Sequence, residues 1–167
     1  MQLLHSFDEI IHPVPSACAI GTFDGVHLGH QQLIRAMVGE AHERGVRSAV
    51  VTFFPHPRVV LGRAPARYLT LPDEKAEQIA ALGVDAMITL EFTPHMAQVT
   101  ALQFVQRMVA GLRPISLWIG PDFALGHKRQ GNAAYLTEVG KIYGFRVNVM
   151  PELSLGATVI SSTRIRD

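Results

Sequence analysis

Residues 21–30 read GTFDGVHLGH, and this short stretch indicates the architecture of the whole chain. An apolar run, ACAI at 17–20, precedes it and an amphipathic run follows it, which is the order strand, glycine-containing turn, helix. Such a junction has unpaired backbone N–H groups and the positive end of a helix dipole, and both favour a phosphate. His27 and His30 are three residues apart, so both side chains can lie on one side of the first helical turn. We therefore expect a polyphosphate site at this junction.

The histidine pair has a competing interpretation as half of a metal site. No cysteine or acidic cluster at ligand spacing completes such a site in the neighbouring sequence. The preceding strand and tight turn favour the phosphate interpretation, as does Gly29, which leaves room for a nucleotide close to the backbone. We therefore predict that no metal is held by protein side chains.

The composition predicts a soluble globular domain. Of 167 residues, 48 % are hydrophobic and 17 % are charged, so the chain can bury a core and is not disordered. Its 15 basic and 14 acidic side chains nearly cancel, which argues against a nucleic-acid or anionic-membrane partner. The single cysteine, Cys18, cannot form an internal disulfide, and no apolar run is long enough to span a bilayer. We expect a cytoplasmic protein.

Apolar runs rich in β-branched residues alternate with helical patterns along the chain. This alternation predicts an α/β fold, one domain over residues 1–167 with a Rossmann-like parallel sheet of about five strands and helices on both faces. Ligands bind beyond the carboxyl ends of the strands in such sheets. The predicted strands are 17–23, 46–54, 84–92, 115–119 and 145–150, and the predicted helices are 30–44, 71–82, 100–110 and 132–143.

Two of the predicted helices begin with a capping signal. Thr70 is followed three residues later by Asp73, and Thr100 is followed three residues later by Gln103. A hydroxyl residue followed at this spacing by an acid or amide is typical of a capping box. We expect both threonines to cap their helices.

A second phosphate-binding signal lies at residues 160–166, which read ISSTRIR. Small hydroxyl residues before a helical start favour an N-cap and an anion site. Arg166 adds a guanidinium that can bind two phosphate oxygens at once. The pattern is weak alone and strong in combination with the stretch at 21–30.

These two motifs together resemble the nucleotidylyltransferase superfamily, whose members carry a His-x-Gly-His signature and a later Ser/Thr-rich signature ending in Arg. Three further segments resemble the adenylyltransferase module of the bacterial bifunctional riboflavin kinase/FMN adenylyltransferase family. They are FFPHP at 53–57, GPDFALG at 120–126 leading to Gly131 and Asn132, and residues 71–85 with Glu74-Lys75 and Gly83-Val84-Asp85. The resemblance covers essentially the whole chain, and it implies the nucleotidylyltransferase fold.

The resemblance implies transfer of AMP from ATP to the phosphate of FMN, with Mg²⁺ bound mainly through phosphate oxygens and water. FMN's phosphate is already a nucleophile at neutral pH, so no covalent intermediate is needed. Only one of the adjacent residues Phe53 and Phe54 can face the cleft, because neighbours on a strand point to opposite faces. The implied catalytic residues are His27, His30 and Arg166; the implied ATP-binding residues are Gly21, Thr22, Phe23, Gly29, Ser161, Ser162, Thr163 and Arg164; the implied flavin-binding residues are Phe53, Pro57, Asp122, Phe123 and Asn132.

The chain departs from the family pattern in two respects. Leu125 stands where the family usually has a second Phe, which bears on one contact to the flavin, and the riboflavin kinase module that the family normally carries is absent from these 167 residues. Lys128 and Arg129 have two open interpretations, contact with the FMN phosphate or a solvated turn. Two alternative functions also stay open, transfer to a different phosphorylated acceptor and nucleotide binding without turnover.

Overall fold

The computed structural model describes residues 1–152, 154–155 and 158–159. A six-stranded parallel sheet forms the centre of the fold, and a two-stranded antiparallel pair follows it in the chain. The sheet strands are β1 (Gln2–Leu4), β2 (Ser16–Ile20), β3 (Arg47–Phe54), β4 (Ala86–Glu91), β5 (Pro114–Ile119) and β6 (Arg146–Val149), and the pair is β7 (Ser154–Leu155) and β8 (Thr158–Val159). The helices are α1 (Leu28–Arg44), α2 (Pro57–Val60), α3 (Pro72–Ala80), α4 (Ala101–Leu112) and α5 (Ala133–Tyr143).

The strands lie in the order β1-β4-β3-β2-β5-β6. The chain therefore moves outward from β2 through β3 and β4 on one side, and later through β5 and β6 on the other. The order reverses between β2 and β5, and a doubly wound sheet has its ligand crevice beyond the carboxyl ends of the two strands at such a reversal. The loops that follow β2 and β5 are the ones that border this crevice.

Helices cover both faces of the sheet, as predicted. Neighbouring residues of β2 point to opposite faces, so Ala17 and Ala19 pack in one core and Cys18 and Ile20 in the other. The first core receives α1 and α3, and the second receives α4 and α5. All four of these residues are at most 1 % exposed, which is the burial expected of a central parallel strand.

The predicted sheet of about five strands lacked β1. This strand pairs with β4 through Gln2, Leu3 and Leu4, opposite Ala86, Met87 and Ile88. It is too short for its periodicity to stand out, and its pairing partner lies far along the chain. The turn before α1 was also misplaced, because β2 ends at Ile20 and the helix begins at Leu28.

One capping prediction is confirmed and the other is wrong. Thr100 Oγ1 accepts from Gln103 N at 3.1 Å, and Gln103 Oε1 accepts from Thr100 N at 3.0 Å. Thr70 does not cap α3, because its hydroxyl oxygen accepts from Gly25 N instead. The helix begins one residue after Leu71, whose N–H donates to Glu74 Oε2 at 3.0 Å.

Candidate active site

The turn between β2 and α1 is fixed by a segment distant in sequence. Asp24 is buried, and its Oδ1 accepts hydrogen bonds from the N–H groups of Leu69 (3.0 Å) and Thr70 (3.2 Å). The N–H of Gly25 donates to Thr70 Oγ1 at 3.1 Å. Gly25 has a φ of +83°, and a Cβ there would lie 2.7 Å from Leu69 Cδ1, so the position requires glycine. The turn and the entry into α3 are therefore held as one unit.

His27 is the N-cap of α1. Its Nδ1 accepts from the N–H groups of Gly29 (3.1 Å) and His30 (3.3 Å), so these two amides are bonded to the imidazole and do not stand open to a phosphate. An accepting Nδ1 places the proton of the neutral ring on Nε2. The rings of His27 and His30 stack with centroids 3.5 Å apart, and Phe23 meets His30 edge-on. Both imidazoles thus lie together on one side of the first helical turn, as the spacing predicts.

Burial favours the neutral form of both imidazoles. Desolvation, with smaller contributions from the charges of His27 and Lys75, lowers the pKa of His30 from 6.5 to about 3. Desolvation also lowers the pKa of His27. The Nδ1 of His30 is buried without a hydrogen-bond partner among the described residues, which suits a neutral ring. A polyphosphate bound against the pair would favour the charged forms and raise both pKa values.

A cavity of about 300 Å³ lies beside the stacked rings, between the turn after β2 and the segment after β5. The predicted ATP-binding and catalytic residues of the N-terminal motif all line it. The rest of the wall is formed by Ile20, Leu33 and residues 120–123 and 150–152. The structure therefore brings these predicted residues together: Gly21, Thr22, Phe23, His27, Gly29 and His30.

A second cavity of about 300 Å³ adjoins the first. Its lining includes four of the predicted flavin-binding residues, Phe53, Pro57, Asp122 and Phe123. Aromatic and aliphatic side chains make most of the remaining wall, and three arginines also line it. The residues that were not predicted include Phe92, Met96, Val99, Phe104, Arg58 and Arg63, and Arg129, for which two interpretations were open, also lines this cavity. The first cavity and the second share Thr22, Asp122 and Phe123, so the two compartments meet there.

The choice between the two adjacent phenylalanines at the end of β3 is settled by geometry. Phe53 lines the second cavity and packs edge-on against Phe92 with ring centroids 6.2 Å apart. Phe54 points to the other side of the strand, where its ring lies 5.2 Å from that of Tyr68. Phe53 is therefore the member of the pair that faces the cleft.

Other predicted residues have different surroundings. Asn132 caps α5 through Oδ1, which accepts from Tyr135 N at 2.9 Å, and it does not line either cavity. Leu125 is buried and lines the second cavity. Arg129 lines that cavity too and donates to the backbone carbonyl of Asp122 at 2.7 Å.

Lys75 of α3 lies at the same junction and was absent from the predicted site residues. It is only 6 % exposed, and its Nζ donates to the Thr22 carbonyl at 2.7 Å and to Thr52 Oγ1 at 3.4 Å. Burial lowers the pKa of Lys75 to about 8. A signal for this position exists in the sequence, because Lys75 precedes Ile79 by four residues and the two are the buried residues of α3. A lysine thus occupies the apolar stripe of an amphipathic helix.

The C-terminal phosphate motif cannot be placed. Its predicted site residues, Ser161, Ser162, Thr163, Arg164 and Arg166, lie outside the described residues. Within the described part of the chain, no group of three or more His, Cys, Asp or Glu side chains could hold a metal ion. In the same part, no helix is long and apolar enough to cross a bilayer.

Comparisons with known proteins identify the family. A family model described as FAD synthetase matches residues 10–164. The bifunctional riboflavin kinase/FMN adenylyltransferase of Listeria monocytogenes is 38 % identical over 152 residues, which cover 89 % of this chain and 48 % of that protein. The protein of the same description from Haemophilus influenzae is 39 % identical over 167 residues, covering 98 % of this chain and 53 % of the relative. The chain thus spans about half the length of these curated relatives.

Solved structures share the fold. A Streptococcus pneumoniae structure described as a macrolide-efflux protein superposes with a TM-score of 0.84 at 27 % identity, covering 99 % of this chain and 55 % of that one. The pantoate-β-alanine ligase of Francisella tularensis superposes with a TM-score of 0.63 at 13 % identity, covering 100 % of this chain and 73 % of that one. The second likeness concerns the fold alone.

Proposed function

This chain belongs to the FAD synthetase family, and from that premise we propose that it transfers AMP from ATP to the phosphate of FMN, giving FAD and pyrophosphate. The observation that carries the proposal is the meeting of two cavities, each of about 300 Å³, at Thr22, Asp122 and Phe123. One cavity is bordered by stacked imidazoles, and the wall of the other is mostly apolar and includes four phenylalanines. A reaction that joins two substrates through their phosphates needs two compartments that meet at the reacting atoms.

The first cavity suits the nucleotide. His27 carries its proton on Nε2, because Nδ1 accepts two backbone N–H groups, so the ring can donate a hydrogen bond to a phosphate oxygen. His30 stacks on it within the same wall. Both rings gain positive charge as a polyphosphate raises their pKa values, which stabilises the negative charge that builds up on the leaving pyrophosphate. Ser161, Ser162, Thr163, Arg164 and Arg166 remain proposed as the second phosphate clamp, on the resemblance of their motif.

The second cavity suits the isoalloxazine ring of a flavin. Phe53 and Phe123 offer aromatic surface for a flat ligand, and Pro57 begins the short helix α2 at the mouth. Arg58, Arg63 and Arg129 add positive charge on the same wall, which favours a phosphorylated acceptor over neutral riboflavin. Asn132 stays a proposed flavin contact on the resemblance alone, since its side chain caps α5 here.

The chemistry needs positioning more than proton transfer. A phosphate oxygen of FMN attacks the α-phosphorus of ATP, a new P–O bond forms, and the bond to the β-phosphate oxygen breaks in line with it. The acceptor oxygen carries no proton at neutral pH, so no general base is required. Buried Cys18, whose pKa burial raises to about 12, takes no part as a nucleophile.

Magnesium would enter with ATP as part of the substrate, held by phosphate oxygens and water. The exposed carboxylate of Asp122 lines both cavities and is an oxygen donor suited to such a hydrated cation. A riboflavin kinase, the activity that the relatives' names pair with this one, makes FMN and would supply the acceptor. Both substrates and the reduced, buried Cys18 accord with our proposal that the protein acts in the cytoplasm.

A product assay tests the proposal. The purified chain is incubated with ATP, magnesium and either FMN or riboflavin, and the products are separated by liquid chromatography. We expect FAD and pyrophosphate in equal amounts with FMN and no FAD with riboflavin. His30→Ala should remove most of the activity, whereas His42→Ala, an exposed histidine of the same helix, should not.

The same assay separates the alternatives. Consumption of ATP with a phosphorylated alcohol or a pyridine mononucleotide, and none with FMN, would replace FMN by another acceptor. ATP binding measured by calorimetry without any product would leave a nucleotide-binding module. Absence of both binding and turnover would contradict the phosphate site itself.

A further inference from the structure

Lys75 is a buried cation whose hydrogen-bond partners are neutral. Its ammonium donates to the Thr22 carbonyl and the Thr52 hydroxyl, and none of the ion pairs among the described residues includes it. Taking an ammonium out of water is costly unless an opposite charge compensates for it. A site that retains such a charge is therefore suited to an anionic ligand.

The groups that surround Lys75 do not neutralise it. Burial is the main cause that lowers the pKa values of His30 of α1 and of His56, the N-cap of α2, and the charge of Lys75 contributes to both shifts. Arg58, the next charged residue along α2, also lowers the pKa of His56. The carboxylate of Asp24, in the turn above α3, accepts from two backbone N–H groups. On α3 itself, Glu74 is bonded to the backbone at the start of the helix. The ammonium of Lys75 therefore has no directly paired counter-charge among the described residues.

The position of the charge relative to the two cavities is informative. Thr22 lines both of them, and Lys75 Nζ lies 2.7 Å from its carbonyl oxygen, yet Lys75 lines neither cavity. The ammonium therefore lies directly behind the backbone at which the compartments meet. Its field reaches the junction, and its hydrogen bond fixes the backbone there.

We propose that Lys75 is a positioning residue for adenylyl transfer: its ammonium holds the Thr22 carbonyl in place and supplies positive potential where the phosphates of the two substrates meet. The assignment rests on the proposed function. Lys75 touches neither substrate cavity, so it acts through Thr22 and through its field rather than as a catalytic residue.

Lys75→Met separates this role from a structural one. Methionine retains the length and the apolar stem of the side chain and removes the charge. The Thr22 carbonyl also accepts from Thr52 Oγ1 at 2.9 Å, so the substitution should not leave it without a donor. Loss of an uncompensated buried charge also removes a desolvation cost. We expect the melting temperature of Lys75→Met to equal or exceed that of the wild type.

Two readouts then test the electrostatic role. Steady-state FAD formation should show a kcat about ten- to a hundredfold lower in Lys75→Met, and calorimetry with magnesium and inorganic pyrophosphate should show affinity at least about tenfold weaker. Lys75→Arg should recover a large part of both. Lys141→Met, at an exposed lysine of α5, is the matched control and should leave both unchanged.

The pH profile supplies a third readout. Since the pKa of Lys75 is about 8 in the free protein, kcat/KM should fall above pH about 8 as the ammonium loses its proton. Bound phosphates raise that pKa, so the same limb in kcat should move to higher pH. Lys75→Arg should lack the limb altogether.

Several results would overturn the proposal. The proposal would be wrong if Lys75→Met had the kcat and the pyrophosphate affinity of the wild type. It would also be wrong if Lys75→Met and Lys75→Arg lost activity and melting temperature to the same extent, because the lysine would then have a structural role. A wild type that forms no FAD, but whose pyrophosphate affinity falls on Lys75→Met, would instead refute the proposed function and support the anion-directed role of the lysine.

Discussion

Replacement of His30 by glutamine should make folding less sensitive to acid. The pKa of this ring is 6.5 for an unperturbed imidazole and about 3 in the folded protein, chiefly because burial disfavours the charged form. The folded pKa is depressed, so the unfolded chain binds the extra proton first as pH falls. Stability is therefore complete above pH 6.5 and is lost progressively as pH falls toward 3. These two values correspond to a loss of about 2 kcal/mol at pH 5 relative to pH 8 from this one ring.

Urea unfolding at pH 8 and pH 5 measures the effect, with the fluorescence of Trp118, the single tryptophan, as the signal. The wild type should lose about 2 kcal/mol more of its free energy of unfolding between these pH values than His30→Gln does. His42→Gln, an exposed position on α1, should behave as the wild type. His27, whose pKa is also lowered by burial, contributes to the acid sensitivity of all three proteins. Equal losses in the wild type and His30→Gln would refute the argument.

Three further substitutions test single features. Thr100→Ala removes the capping box of α4 and should lower the free energy of unfolding in urea by about 1 kcal/mol, with kinetic constants unchanged. Gly126→Ala, at a φ of +81° with a Cβ that would lie 2.6 Å from Ala101 N, should lower the melting temperature by several degrees, and an unchanged value would contradict the packing. Phe123→Ala should raise the KM for FMN about tenfold, whereas a KM within twofold of the wild type would remove Phe123 from the acceptor site.

The strands and helices that pack on both sides of the sheet could be predicted because their residues repeat with a clear period. β2, for example, is apolar throughout, as a central parallel strand must be. β1 could not be found in this way, because three residues carry too little pattern and the partner, β4, is about eighty residues away. The prediction that Thr70 caps α3 was wrong for a related reason. The Thr70 hydroxyl accepts a hydrogen bond from Gly25 N, which is distant in sequence, and this tertiary contact overrode a local capping signal.

The site residues that could be predicted from a local pattern are likewise those that lie close together in sequence. The residues of the stretch 21–30 are close together in sequence, and a strand–turn–helix junction is sufficient to bring them to one cavity. Lys75 reaches the junction through tertiary contacts, because the entry into α3 is hydrogen-bonded to the turn at Asp24 and Gly25. A lysine within a helix would ordinarily be assigned to a solvated face. Its position four residues before Ile79, on the same buried stripe, was the available signal. The aromatic wall around Phe53 likewise depends on α4, whose Phe104 is far away in sequence.

The location of the proposed chemistry follows from the order of the strands. The loops after β2 and β5 diverge because the sheet is built outward from these neighbours in opposite directions, which opens one crevice with two flanks. Thr22 comes from the first loop and Asp122 and Phe123 from the second, and these are the residues shared by the two cavities. A transferase that relies on positioning needs such a shared wall, because the attacking and leaving oxygens must lie on opposite sides of one phosphorus atom. The hydrogen bond from Lys75 to the Thr22 carbonyl then stabilises that shared wall from the side away from the cavities. The fold itself therefore provides much of the alignment that the reaction requires.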